Sequence, residues 1–197
     1  MNKFIAGAII VLFLETCFSG VLYNFAYQFM IEKKVPEQHA RLMAFVLEEE
    51  AKSIPLSIDP LFMLAFGMCE TGFVNAFGDK GKAVGYFQLH ENAVIYVTNF
   101  YDDVRQFKKN NRIHTELIKY PDWQLKIAYR YIYLTLKNVY NWDLIQAIAA
   151  YNGRKDRYNQ YTVKFFKSYS DIVQMYTTYL SNLSNLTTLP TYSNKKK

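Results

Sequence analysis

Apolar positions through the middle of the chain recur at helical intervals. Leu42, Phe45 and Val46 predict the inward face of a helix from about Glu37 to Lys52, opened by Pro36, where a missing N–H costs nothing. After a connector over 54–58, Asp59 is placed to cap a second helix with Pro60 in its first turn. Leu61, Leu64, Ala65 and Met68 then give a buried stripe, and Glu70 falls at or just past its end. Periodicity stops between Gly72 and Gly85, which with Gly78 and Gly81 make four of the eight glycines, so a turn-rich loop with short strands at its edges is expected. Helical character returns from Glu91 to Lys109. A strongly periodic helix spans Asp122 to Asn138 through Leu125, Ala128, Ile132 and Leu136. Asn141 or Asp143 caps the next helix, with Leu144, Ala147, Ile148 and Tyr151 inward and Gly153 ending it. One or two further helices cover Tyr158 to Leu180. The expected architecture is mainly α, a single domain over 37–175 with a Gly-rich loop or small β element.

The two ends follow different patterns. Lys3 precedes eleven apolar or small residues, Phe4 to Leu14, in the order of a secretory signal and shorter than the ~18 expected of a spanning helix. Cys17 and Ser19 allow cleavage after Ser19, so residues 1–20 are read as a signal peptide or membrane anchor, with a lipoprotein at Cys17 as a third reading. All three export the rest of the chain; the alternative is a buried N-terminal helix of a cytoplasmic protein. Residues 21–36 are read as a connecting segment, and 176–197 as a polar, basic, loose tail ending in Lys195, Lys196 and Lys197.

Composition narrows the chemistry. Across 197 residues, 51% are hydrophobic and 20% charged, which excludes a disordered chain. Cys17 and Cys69 are the only cysteines, too few for a disulfide scaffold or thiolate zinc cluster, and His39, His90 and His114 are too dispersed for a short metal motif. No metal or other cofactor is expected. Lys108, Lys109 and Arg112 and Arg154, Lys155 and Arg157 form only loose basic groups, and no nucleic-acid reading motif accompanies the net charge of +6. That charge also suits an acidic polymer such as a bacterial wall.

Glu70 is the most informative acid. Next to apolar Phe66 and Gly67 it should lose hydration when ionised, which raises its pKa and suits it to proton donation. Three motifs surround it in order: Glu70-Thr71-Gly72-Phe73, Gly85-Tyr86-Phe87-Gln88-Leu89 and Ala149-Ala150-Tyr151-Asn152-Gly153. On these, over about residues 37–155, the sequence resembles the lytic transglycosylases of the soluble-lytic type, in the goose-lysozyme-like superfamily. The eighteen-residue interval from Glu70 to Gln88, Asn75-Ala76 and the approach through Ile58-Asp59-Pro60-Leu61 agree with it. Departures are Thr71 for the usual Ser, Phe87 for Met, Arg154 after Gly153, and His90-Glu91-Asn92-Ala93 where the family commonly continues Met-Pro-Gly-Thr-Ala.

The resemblance implies a lysozyme-like fold and non-hydrolytic cleavage of the β-1,4 bond between N-acetylmuramic acid and N-acetylglucosamine in peptidoglycan strands, giving 1,6-anhydromuramyl ends. It assigns Glu70 as acid then base, Tyr151 as a hydroxyl donor to that carboxylate, and Gln88 and Asn152 as holders of sugar amides or hydroxyls. Thr71 either orients Glu70 or caps local backbone. Phe73 and Tyr86 serve as groove walls or as core, and Asn75 completes the substrate-binding set. The implied location is periplasmic or envelope-associated, with an envelope-assembly or secretion apparatus as a potential partner. Two rivals stay open. A hydrolytic muramidase would need a second carboxylate, from Asp79, Glu91, Asp102, Asp103 or Glu116, and a non-enzymatic wall-binding component would need none.

Overall fold

The computed structural model describes residues 20–53 and 58–187. The signal, anchor and lipoprotein readings of residues 1–19 and the terminal lysines lie outside these. Helix α1 (Val21–Glu32) turns through Val35, which is buried, into α2 (Glu37–Ser53). Helix α3 (Leu61–Glu70) begins where Asp59 Oδ1 accepts the Leu61 N–H at 2.9 Å, the expected cap. Seven consecutive residues of α3, from Leu61 to Gly67, are buried, so it is the central helix rather than a one-sided one.

A three-stranded antiparallel sheet follows, in the order β1 (Phe77–Gly78), β2 (Ala83–Val84), β3 (Leu89–His90), with Phe77 opposite Val84 and Ala83 opposite His90. The helical stretch expected over 91–109 is two helices, α4 (Glu91–Thr98) and α5 (Asp102–Asn110), separated at Asn99–Tyr101. A 3₁₀ turn at His114–Lys119 leads into α6 (Pro121–Asn138), whose Leu125, Ala128, Ile132 and Leu136 are all buried as the periodicity requires. Asp143 rather than Asn141 caps α7 (Leu144–Tyr151), accepting the Gln146 N–H at 3.1 Å, and Gly153 follows its end at φ +71°. A single helix, α8 (Gln160–Thr187), completes the described chain.

Three expectations change. In α2 the buried residues are Ala40, Met43, Ala44, Val46, Leu47 and Glu50, so Val46 faces inward as expected, while Phe45 is 58% and Leu42 38% exposed. The inward stripe contains small residues and a carboxylate, so hydrophobicity alone misplaces Leu42 and Phe45. Residues 21–32, read as connection, form α1, with Phe25, Ala26, Phe29 and Met30 buried. Residues 181–187, read only as loose tail, continue α8, which carries the helix expected to Leu180 seven residues further. The last two revisions share a cause: Phe25 of α1 packs on Tyr176 and Tyr179 of α8, with ring centroids 4.8 and 5.6 Å apart. Each segment is half-apolar alone and buries its aromatic side on the other.

The high aromatic content is largely structural. Phe62 and Phe66 of α3 meet Phe165 of α8 at 5.6 and 4.6 Å, and the Tyr169 hydroxyl donates to Asp59 Oδ2 at 2.6 Å. Opposite, Arg130 of α6 binds Glu50 of α2 through two hydrogen bonds, 2.7 and 2.8 Å, and Asp103 of α5 at 2.6 Å. These side chains tie three helices together. Burial pushes the Asp103 carboxyl up, but Arg130 overrides it through a hydrogen bond and its charge, so Asp103 ends below the usual carboxylate range.

Candidate active site

Helix α3 delivers Glu70 as its last residue to the floor of a cleft with a volume of about 440 Å³. One wall comes from the sheet region, through Asp79, Gln88 and His90, and the other from the end of α7, through Tyr151 and Asn152. The single hydrogen bond to Glu70 among the described residues is donated by the Tyr161 hydroxyl to Oε1. Oε2 is therefore the oxygen left to carry a transferable proton. Burial raises the Glu70 pKa above the usual carboxylate value. The Tyr161 hydrogen bond and the charge of Lys164 oppose that rise without cancelling it. Lys164 is held by its own bond to the Cys69 carbonyl, at 2.7 Å. Tyr161 itself stays protonated, because burial and then the Glu70 charge push its hydroxyl pKa far up.

Tyr151 does not fill the role assigned to it as donor to Glu70. Its hydroxyl donates to the Phe87 carbonyl at 2.8 Å, clamping the sheet region to α7. It remains part of the cleft lining, and burial followed by the Glu70 charge raises its pKa strongly. The donor is Tyr161, ten residues later, which sequence reading missed. Its local signal was real but mute about function: Asn159 Oδ1 caps the start of α8 by accepting the Tyr161 and Thr162 N–H groups at 2.8 and 3.0 Å. A cap places Tyr161 in a first turn, but not beside a carboxylate ninety-one positions earlier.

The other candidates divide between cleft and scaffold. Thr71 caps backbone rather than orienting Glu70: its hydroxyl donates to the Tyr86 carbonyl at 3.0 Å and accepts the Val74 N–H at 3.2 Å. Phe73 and Tyr86 are core, at 3% and 1% exposure, and form no groove wall. Phe73 packs on Gly67, and the Tyr86 hydroxyl lies 2.9 Å from His39 Nδ1, while burial pushes that hydroxyl up to about 12. Asn75 is engaged in the scaffold too, donating to the Ile118 carbonyl at 2.9 Å and accepting from Gln124 at 3.3 Å. Gln88 lines the cleft but spends its amide N–H groups on the Ala76 and Gly85 carbonyls, at 3.1 and 2.9 Å. Those bonds hold a non-glycine backbone at φ +46°, a conformation that costs on the order of 1 kcal/mol. Asn152, at the exposed end of α7, keeps its amide available to the cleft.

Gln124 of α6, fully buried, is the second residue that sequence reading passed over. It accepts the Tyr86 N–H at 2.9 Å and donates to the Leu117 carbonyl at 2.9 Å, holding the loop's return strand to the helical body. Gly85, at φ +81°, is required there, since a Cβ would stand 2.0 Å from the Gln124 amide oxygen.

Four of the five carboxylates considered as water activators are committed elsewhere. Glu91 pairs with Lys108 at 2.7 Å, Asp102 with Arg105, Asp103 with Arg130, and Glu116 with Lys119 at 3.0 Å. Asp79 alone of the five lines the cleft, with His90 Nε2 at 4.0 Å from its Oδ2. Among the described residues no group of three or more His, Cys, Asp or Glu side chains is arranged to hold a metal ion, and no helix is long and apolar enough to cross a membrane. No protein-family model matches the chain, and neither does a curated protein or a solved structure.

Proposed function

We propose that this protein is a peptidoglycan lytic transglycosylase on a lysozyme-like fold, with Glu70 as its single acid and base. The observation that carries the reading is the state of Glu70: a cleft carboxyl, pushed toward its protonated form by burial and held through one oxygen by Tyr161. The three motifs around it supply the substrate class. In the first step the proton on Glu70 goes to the bridging oxygen as the bond from that oxygen to the anomeric carbon breaks. The substrate's N-acetyl oxygen supports the positive charge at that carbon. The C6 hydroxyl oxygen then bonds to the anomeric carbon, its proton returns to Glu70, and a 1,6-anhydro ring closes without water. An attacker within the same sugar is entropically cheap, so no second carboxylate is needed to position it. Asn152 is the side chain best suited to bind a sugar amide. An enzyme acting on this polymer works outside the cytoplasm, the destination that the N-terminal pattern implies.

One observation favours a second reading. Asp79 lines the same cleft, and a hydrolytic muramidase would use it to activate water. Digestion of purified peptidoglycan by the wild type, Glu70→Gln and Asp79→Asn tests both. The proposal predicts that Glu70→Gln, folded, releases no soluble fragments, while Asp79→Asn still gives anhydro ends. Turnover by Glu70→Gln would overturn the role of Glu70, and reducing ends that vanish in Asp79→Asn would establish the hydrolase.

A further inference from the structure

The end of α3 is held from α8 by side chains on one face of that helix. Tyr161 donates to Glu70, and one turn on, Lys164 donates from Nζ to the carbonyl of Cys69 at 2.7 Å. Ser168, a further turn along the same face, receives the Cys69 thiol at 3.8 Å. Helices leave their last carbonyls without intrahelical partners. In α3 the Gly67 carbonyl accepts the Thr71 and Phe73 N–H groups and that of Met68 accepts Gly72, so the turn after Glu70 serves those two. The Cys69 carbonyl is served instead by Lys164, a cap supplied from another helix that places an ammonium at the negative end of α3. The other titratable groups around Glu70 are Cys69 beside it, Tyr151 of α7, Tyr131 of α6, and Asp79 and His90 on the sheet-side wall. Burial pushes the Cys69 thiol and both hydroxyls up, and Asp79 and His90 face each other at 4.0 Å. Among these groups the charge that acts on the Glu70 carboxyl is that of Lys164.

We propose that Lys164 is a positioning residue for Glu70: by capping α3 from α8 it fixes the carboxyl against the Tyr161 hydroxyl, with a positive charge on the neighbouring residue's carbonyl. Lys164 does not line the cleft, so it acts on a substrate only through Glu70. Its bond to the last turn of α3 keeps Tyr161 and Glu70 in register. Its charge favours the ionised carboxylate, which tempers the rise that burial imposes and lets Glu70 release its proton at a lower pH than burial alone would allow. The Lys164 side chain is exposed, so solvent screens that charge and the effect is modest. For the identity of the reaction the inference rests on the glycan-cleaving reading; its geometry is independent of that reading.

The test follows the Glu70 carboxyl itself. Carbon-13 NMR titration of the full chain, labelled at its glutamate carboxyls, reads the Glu70 midpoint, assigned by the resonance missing in Glu70→Gln. Lys164→Met removes charge and cap together, Lys164→Arg retains both, and Lys167→Met removes an exposed charge one turn further along α8. The expected midpoint is higher by about half a pH unit in Lys164→Met, the range of a solvent-screened charge, and unchanged in Lys164→Arg and Lys167→Met. On soluble glycan oligomers kcat of Lys164→Met should fall about fivefold at unchanged KM, the net worth of one hydrogen bond, with the alkaline limb of the pH–rate profile displaced upward by the same amount as the midpoint. A merely structural lysine would move neither midpoint nor limb. A Glu70 midpoint that stays in place in folded Lys164→Met would overturn the proposal, as would an equal rise in Lys167→Met. Should Lys164→Met not fold, Lys164→Gln, with a donor but no charge, is titrated in its place and read the same way. A midpoint that moves as expected in a chain that cleaves no glycan would uphold Lys164 as the positioning residue and overturn the glycan-cleaving reading alone.

Discussion

Tyr161 restrains one oxygen of the half-buried Glu70 carboxyl and leaves the other free. The Tyr161 hydrogen bond favours the ionised carboxylate, so Tyr161→Phe should raise the Glu70 pKa further. A general acid works while protonated. The pH at which activity declines on the alkaline side should therefore move upward in Tyr161→Phe, with turnover at the optimum falling about tenfold, the worth of one charge-assisted hydrogen bond. An unshifted limb in the pH–rate profile would show that Tyr161 only fills space. Stability carries a second signature. In the unfolded chain Glu70 ionises at its ordinary value, whereas the fold retains the proton to higher pH. The folded state therefore loses stability as pH climbs from the ordinary carboxylate value through the raised one. Gln carries no charge, so Glu70→Gln should melt above the wild type at neutral pH, and the difference should disappear below the ordinary carboxylate value. Thermal melts across that range measure it directly.

Among the elements, α3 has its position settled by packing and its output settled by its last residue. Gly67 lets the Phe73 ring lie where a side chain would be, with ring atoms 2.5 Å from a hypothetical Cβ. Gly67→Ala should cost about 1–3 kcal/mol through displacement of Phe73, measured by denaturant unfolding. It should also reduce activity, because Phe73 belongs to the turn that follows Glu70. This helix was legible in the sequence: the Asp59 cap, the Pro60 start, the apolar run and the glycine-rich stop each report a local interaction. The partners of the loop were not. Asn75, Gln88 and Tyr86 resemble ligand-binding residues in a linear motif, yet their hydrogen bonds go to Ile118, Ala76, Gly85 and His39. Polar side chains in a motif-like order can serve a loop's own backbone as readily as a substrate, and spacing does not separate the two uses. Tyr161 and Gln124 were missed for the converse reason, since their importance lies wholly in contacts distant along the chain.

At the scale of the molecule, the α1–α8 aromatic contact and the Glu50–Arg130–Asp103 network frame the cleft from outside it. Neither was visible in periodicity, because a buried glutamate reads as a surface residue until its arginine is found. Glu50 and Arg130 are 3% and 9% exposed, so Arg130→Met would strip the buried Glu50 carboxylate of both its hydrogen bonds, leaving it only Lys126 Nζ at 3.8 Å, and should destabilise the fold by about 3 kcal/mol. Replacing both partners, as Glu50→Leu with Arg130→Met, should recover most of that loss in a double-mutant cycle. Asp103 adds acid sensitivity: its carboxyl is held below the ordinary range, so its contribution is present above the unfolded value and lost as pH falls through the folded one. Its partial exposure to solvent keeps that contribution small. What this frame positions is the single carboxyl proposed to cleave without water. Mass spectrometry of the sugar ends released from purified peptidoglycan tests it most directly. The expected products carry 1,6-anhydromuramyl ends, lighter by one water than reducing ends and absent with Glu70→Gln; Glu70-dependent products that all carry reducing ends would contradict this.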